Sequence, residues 1–209
     1  MKKMQIVNGE NNSAEGVWID GILYDGDCAV RAAKNIRKAV IKEGTVSVAA
    51  CCFRNCKHLV SAVLPSSLEA LGMGAFAGCI SLERVTLPAG LKEIEDDVFN
   101  GCFSLTDIAL PSGLKTIRDG AFAGCTGLAS VALPVGLRSI GSLAFAGCTG
   151  LTFVKLPGSL ESLGYDVFAG CTDLAYVKMS GEMIPLGGGG MCSWLRGTDL
   201  NRWHNAICA

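Results

Sequence analysis

A repeat of 23 residues is the feature that most constrains what this chain can fold into. A phenylalanine returns at every 23rd position, and a cysteine lies three residues after each one. The six phenylalanines are Phe53, Phe76, Phe99, Phe122, Phe145 and Phe168. A fixed period of this length indicates stacked repeats, because one short unit cannot bury its apolar side without neighbours. The sequence therefore predicts a solenoid.

The segment around Val85 predicts one short strand in each repeat. Val85 and Leu87 alternate with Thr86, so the first two are expected to face inward and Thr86 outward. Equivalent strands in successive repeats would pair in parallel, about 4.8 Å apart. Pro88 follows and ends the strand, since proline has no N–H to donate. We expect a right-handed solenoid with a parallel sheet on its concave face.

A glycine column predicts the backbone conformation on the opposite side of each coil. The glycines are Gly78, Gly101, Gly124, Gly147 and Gly170, and Asn55 takes the same place in the first repeat. Glycine and asparagine tolerate a positive φ best, so a left-handed position is expected there. The preceding Ala-Phe-x-Gly-Cys piece is too short for a helix and predicts a single turn.

These columns resemble the BspA-like leucine-rich repeat family, the 23-residue type also seen in treponemal proteins. The family signature, IPxxLxxIGxxAFxGCxxLxxVxLP, is nearly intact in LPSGLKTIRDGAFAGCTGLASVALP at residues 110–134. The resemblance implies a leucine-rich repeat solenoid of the α/β superhelix type, used for binding. It also implies adhesion to host or matrix proteins in some members, on bacterial or protist surfaces.

Three regions are predicted along the chain. Residues 1–38 would form an N-terminal cap, with a β-hairpin about the Asp-Gly pair of VWIDGILY at 17–24. Residues 39–180 would hold about six repeats. Residues 181–209 would form a Gly-rich link and a C-terminal cap, in which Trp194 and Trp203 supply apolar area.

The cysteine column, Cys56 to Cys171, allows four interpretations. Zinc needs ligands that converge on one point, whereas a column spreads its sulfurs along a line. Disulfides between coils would fit the Cα spacing but not the closer Cβ spacing. Catalysis needs an exposed thiolate beside a base, and the chain has only two histidines, His58 and His204. Burial of reduced thiols as small apolar side chains is favoured.

Composition excludes several function classes. The net charge is −1 and no basic stripe occurs, so no nucleic-acid partner is expected. No uninterrupted apolar run reaches about 18 residues, so no membrane insertion is expected. No apolar segment follows the N-terminal lysines, which predicts a cytoplasmic protein, with secretion or surface display as the alternative by resemblance. We expect no cofactor, no metal and no enzymatic activity.

The variable outward residues of the strands are the candidate binding site. Phe153 and Tyr176 are expected to be neighbours, with Lys155 and Lys178 beside them, and Arg84 lies on the same face. Aromatic and cationic side chains of this kind are typical of protein interfaces. The predicted function is therefore non-catalytic protein binding, with adhesion as the alternative. Two further alternatives stay open: the C-terminal cap covers the aromatic pair, or the chain forms an end-to-end homodimer.

Overall fold

The computed structural model describes residues 16–179 and 182–185, which form a solenoid of about seven stacked coils. These residues contain strands and turns but no helix. The strands are β1 Val17–Ile19, β2 Ile22–Asp25, β3 Cys28–Ala32, β4 Lys38–Val40, β5 Ser47–Val48, β6 Ser61–Val63, β7 Ala70–Leu71, β8 Arg84–Thr86, β9 Glu93–Ile94, β10 Thr116–Ile117, β11 Ser130–Val131, β12 Ser139–Ile140, β13 Phe153–Leu156, β14 Ser162–Leu163, β15 Tyr176–Met179 and β16 Glu182–Pro185.

The predicted strand of each repeat is present in most coils. We call this series, β4, β6, β8, β11, β13 and β15, the first-strand ladder. Its members pair in parallel, with Arg84 opposite Ser61 and Tyr176 opposite Phe153. The prediction is wrong for one coil, because residues 106–110 form no strand and the ladder breaks between β8 and β11. Asp107 lies within this break, and aspartate is unfavourable in strands.

A second series of strands was not predicted. These strands have two residues each, and each ends at an isoleucine, leucine or valine that lies six residues after the proline position of its repeat. They are β5, β7, β9, β10, β12 and β14. Thr116 pairs with Glu93 on one side and Ser139 on the other. We call this series the second-strand ladder. It is interrupted between β7 and β9.

The turn of each repeat forms a third and continuous connection between coils. The Phe76 N–H donates to the Val98 carbonyl at 2.9 Å, and the Phe99 N–H donates to the Ala121 carbonyl at 2.8 Å. The glycine column behind these residues is left-handed as predicted, with φ of 72° at Gly124 and 58° at Asn55. A coil that lacks a strand pairing is therefore still bonded to its neighbours through the turn.

The core is a set of columns, each with one side chain from every coil. The phenylalanines form a stack from Phe53 to Phe168, with ring centroids 4.9 to 5.8 Å apart. The cysteines and the leucines three residues beyond them are equally buried. A second leucine column contains Leu68 and Leu91, and Thr45 is the exception in it. It is fully buried at the position of Leu68 one coil earlier, and its hydroxyl has no hydrogen-bond partner among the described residues.

The predicted hairpin is present at the N-terminal end of the described residues. β1 and β2 pair antiparallel around Asp20 and Gly21, which both have positive φ. β3 then pairs in parallel with β5, so the hairpin continues the second-strand ladder. The Tyr24 hydroxyl accepts a hydrogen bond from the Lys42 N–H at 3.2 Å, and the Lys42 ammonium lies 4.5 Å from the Tyr24 ring centroid.

The C-terminal end continues the sheet beyond the last repeat. β16 pairs antiparallel with β15, placing Lys178 opposite Met183 and Tyr176 opposite Pro185. This strand was not predicted. Of the predicted Gly-rich link and C-terminal cap at 181–209, the structure describes only residues 182–185.

Candidate functional site

The outward side of the first-strand ladder holds all five residues of the predicted site. Alternation along each strand buries one residue, such as Val85 or Val154, and turns its two neighbours outward. We call the outward set the first-strand face. Its fourteen residues are Lys38, Val40, Ser61, Val63, Arg84, Thr86, Asp107, Ala109, Ser130, Ala132, Phe153, Lys155, Tyr176 and Lys178.

The structure brings Phe153 and Tyr176 together. They are direct partners in the parallel pairing of β13 with β15. Their ring centroids are 5.3 Å apart and the ring planes are tilted by 57°. Both side chains are partly exposed, so the pair offers ring edges and faces to a partner as well as to each other.

Lys155 and Lys178 are also direct partners, two residues further along the same strands. Lys155 is exposed, Lys178 is partly exposed, and neither has a carboxylate partner within the described residues. Arg84 is exposed on the same face, but it lies three coils from Phe153, about 14 Å away at the spacing of paired strands. Four of the five predicted residues therefore form one cluster, and Arg84 stands apart from it.

The C-terminal strand does not lie across this cluster. β16 pairs edge to edge with β15 and so extends the sheet sideways. A strand in that position satisfies the edge N–H and C=O groups of β15 rather than covering the outward side chains. The predicted covering of Phe153 and Tyr176 by residues 193–208 falls on residues that the structure does not describe.

The cysteine column has a polar role that the sequence did not indicate. Each thiol from Cys79 onward donates to the carbonyl of the phenylalanine in the preceding coil, at 3.1 to 3.3 Å. Burial raises the pKa of the Cys79 and Cys148 thiols to about 12, and it also raises the pKa of Cys102 and Cys125. These thiols therefore stay protonated at neutral pH, as hydrogen-bond donation requires.

The described part of the chain contains no group of side chains that could bind a metal ion, and no histidine there is bonded to a catalytic partner. No three histidine, cysteine, aspartate or glutamate side chains converge there as metal ligands would. His58 is exposed, and no hydrogen bond or ion pair engages it within residues 16–179. His204 lies outside the described residues.

Two further columns escaped the sequence prediction. One is a second left-handed column, formed by Cys51, Gly74, Asp97, Gly120, Leu143 and Asp166, all with positive φ. The other column, Asp96, Asp119 and Ser142, lies beside it, and in it a carboxylate of one coil accepts a hydrogen bond from a backbone N–H of the next. Asp96 accepts from the Asp119 N–H at 3.0 Å, and Asp119 accepts from the Ser142 N–H at 2.7 Å. Arg118 forms ion pairs with Glu93 and Glu95 next to them. The acidic stretch at 95–97 therefore connects neighbouring coils.

The described residues contain no helix that could cross a membrane.

Comparison with known proteins places most of the repeat region in one family. The sequence model for the BspA type leucine rich repeat region matches six copies over residues 46–175. No protein with a curated description matches the chain.

Several solved structures share the fold. A leucine-rich repeat protein of T. pallidum is 35% identical over 73% of this chain and 75% of its own, with a TM-score of 0.70. One from Bacteroides ovatus is 30% identical, covering 83% of this chain and 47% of its own, with a TM-score of 0.67. A leucine-rich cell surface protein of Faecalibacterium prausnitzii is 26% identical, covering 81% of this chain and 41% of its own, with a TM-score of 0.59. With its 23-residue spacing confirmed, the chain belongs to the BspA-type leucine-rich repeat family.

Proposed function

We propose that this chain is a protein-binding module and that its partner contacts the first-strand face at the coils carrying Phe153 and Tyr176. Leucine-rich repeat proteins generally mediate protein–protein interaction and are typically non-enzymatic. The paired aromatic side chains carry the proposal. Interface energy concentrates in a few aromatic and arginine side chains, and paired aromatic rings offer a large contact area.

The surroundings of the aromatic pair support the same choice. In the coil before the aromatic pair, the outward residues are Ser130 and Ala132. Their side chains are small, so the Phe153 ring extends further from the sheet than they do. A partner side chain can therefore pack against one side of the Phe153 ring. Beyond Tyr176, the sheet continues only through β16 in the described residues.

Catalysis forms no part of the proposed function. The buried thiols are protonated, because burial raises their pKa, and a thiol nucleophile needs its thiolate form. His58 has no acid or nucleophile bonded to it among the described residues. We infer that binding is the whole activity of this part of the chain.

A capture experiment with three baits tests the proposal. The baits are the wild-type chain, Phe153→Ser/Tyr176→Ser, and a matched control, Phe103→Ser/Tyr165→Ser. Phe103 and Tyr165 are 51% and 62% exposed and lie outside the first-strand face, so the control also removes one phenylalanine and one tyrosine from the surface, but elsewhere. We expect a partner that the wild type and the control retain and that Phe153→Ser/Tyr176→Ser loses. Equal recovery with all three baits would reject the proposal.

A role as a surface adhesin is the second candidate. One similar structure is described as a leucine-rich cell surface protein, and this chain spans 41% of it. We propose that export be tested directly, by detecting the native protein in intact source cells after treatment with an external protease. Loss of the protein from intact cells would favour the adhesin. Complete protection would favour a partner inside the cell.

A further inference from the structure

The charge of the first-strand face differs from that of the chain as a whole. The chain carries a net charge of −1, whereas the face carries four cations and one carboxylate. The cations are Lys38, Arg84, Lys155 and Lys178, and the carboxylate is Asp107. The ion pairs of the described residues, those of Arg118 and Arg138, lie elsewhere on the coils. Asp107 is one coil from Arg84 in the same column, whereas no carboxylate of the described residues pairs with Lys155 or Lys178.

Lys155 and Lys178 are the most crowded of these cations. They are direct partners on adjacent parallel strands, so their Cα atoms are about 4.8 Å apart. Like charges placed directly opposite each other on a sheet are destabilising. A carboxylate placed between the two ammonium groups would remove this repulsion. The pair is therefore suited to an acidic group brought by a partner.

The opposite end of the same outward column is apolar. Val40 and Val63 are direct partners in β4 and β6, and they are 52% and 41% exposed. Between them and the lysines the column holds only Thr86, Ala109 and Ala132. These small side chains allow the backbone of a bound segment to come close. The column thus has an apolar end, a middle part with small side chains, and a cationic end.

The spacing of the two ends sets the length of a matching ligand. Val63 and Lys155 are four coils apart, which is about 19 Å at the spacing of paired strands. An extended peptide advances roughly 3.3 Å per residue, so about six residues would connect the two ends.

We propose that the partner presents an extended acidic segment, which lies across the strands along this column. Two carboxylates at alternate positions of the segment, which share one face of an extended chain, pair with Lys155 and Lys178, and an apolar residue about six positions away packs on Val40 and Val63. Phe153 flanks the acidic end and packs against the segment. This inference rests on the proposed function, since it names the partner class for the same face.

Single-stranded nucleic acid fits the face less well than a peptide. It requires cations that follow the phosphate backbone and aromatic rings free to stack on bases. Here Asp107 interrupts the cations, and the Phe153 and Tyr176 rings are tilted by 57° to each other, so they form no parallel platform for successive bases.

Fluorescence anisotropy with defined probes tests the inference. The probe is a labelled peptide of one isoleucine, five alternating glycine and serine residues, and then an aspartate, a serine and a second aspartate, so that the isoleucine and both aspartates share one face. A scrambled peptide of the same composition, an analogue with two lysines in place of the aspartates, and a single-stranded oligonucleotide serve as comparisons. The proteins are the wild type, Lys155→Glu/Lys178→Glu, and the control Lys92→Glu/Lys115→Glu. Lys92 and Lys115 are exposed and one coil apart beside the second-strand ladder, so the control makes the same charge change elsewhere.

We expect the wild type and the control to prefer the aspartate peptide to its scramble. Charge reversal at 155 and 178 should weaken that binding at least about tenfold, a loss that two charge-assisted contacts readily supply, and should shift preference to the lysine analogue. Unchanged peptide affinity in that variant, equal affinity for the scramble, or tighter binding of the oligonucleotide would overturn the acidic-segment inference. If partner capture is still lost in Phe153→Ser/Tyr176→Ser, the proposed function stands without it.

Discussion

The Phe99 carbonyl oxygen accepts two hydrogen bonds, and one of them comes from the Cys125 thiol of the following coil at 3.2 Å. The other comes from the Cys102 N–H within its own turn, at 3.1 Å. A carbonyl oxygen has two lone pairs, so both donors are accommodated. Cysteine thus combines a small buried side chain with a donor that reaches back to the preceding coil, which explains its recurrence every 23 residues.

Replacement of one column thiol should reveal this dual role. We expect Cys125→Ala to lower the free energy of unfolding by about 1–2 kcal/mol, because it removes both a buried sulfur and a hydrogen bond. Cys28 is partly exposed and is the matched control, since Cys28→Ala should change stability by less than about 0.5 kcal/mol. Urea denaturation measures both values. Equal losses in the two variants would show that a cysteine in the column contributes no more to stability than a cysteine outside it.

Stability should fall at alkaline pH. Burial raises the pKa of the Cys79 and Cys148 thiols from 9.0 to about 12. A group with a raised folded-state pKa contributes stability that is complete below its unfolded pKa and is lost as pH rises toward the folded value. We therefore expect constant stability up to about pH 8 and a steep decline above about pH 9. Urea midpoints across this range measure it, and Cys79→Ala should make the decline shallower. A flat profile up to pH 11 would contradict the prediction.

Alanine at the glycine column should be unfavourable for conformational reasons. Gly124 has φ of 72°, and an added Cβ would have room, since its nearest neighbour is 3.7 Å away. Gly124→Ala should therefore cost about 1–2 kcal/mol through left-handed strain alone. Gly158 has an ordinary φ and open space around it, so Gly158→Ala should be neutral or stabilising by up to about 1 kcal/mol. Thermal unfolding compares the two. Similar changes in stability for Gly124→Ala and Gly158→Ala would argue against left-handed strain at position 124.

Replacement of Thr45 by an apolar residue of the same shape should stabilise the protein. Its side chain is fully buried in the leucine column of Leu68, and its hydroxyl has no partner in the described residues. Thr45→Val keeps the shape and removes the unsatisfied hydroxyl, so we expect a gain of about 1 kcal/mol in the free energy of unfolding. Thr45→Ser keeps the hydroxyl and loses the methyl group, so it should lose stability. A loss in both variants would mean that the hydroxyl is satisfied in solution.

The sequence predicted the features that repeat in residue type. Phe76 and its column gave the period, and Val85 with Thr86 gave the strand. Gly124 and its column gave the left-handed turn, since five of six positions there are glycine. The clustering of Phe153 with Tyr176 followed from the period alone, because residues 23 apart become direct neighbours when coils stack in register.

Features set by geometry rather than by residue type could not be predicted. The second-strand ladder has only two residues per coil, too few for an alternation to be visible. The second left-handed column contains Cys51, Asp97 and Leu143, so its composition does not reveal its backbone. The thiol–carbonyl bonds join residues 26 apart and depend on how the turns of neighbouring coils stack.

The most direct test of the proposed binding face is site-specific photo-crosslinking in the source cells. A photoreactive phenylalanine analogue, p-benzoylphenylalanine, is placed singly at positions 153, 176, 103 and 165. All four positions carry aromatic side chains, and the last two lie away from the first-strand face. Adducts with one discrete protein from positions 153 and 176, and none from 103 and 165, are the predicted result. Adducts from 103 or 165 with none from 153 and 176 would place binding elsewhere and contradict the proposed function.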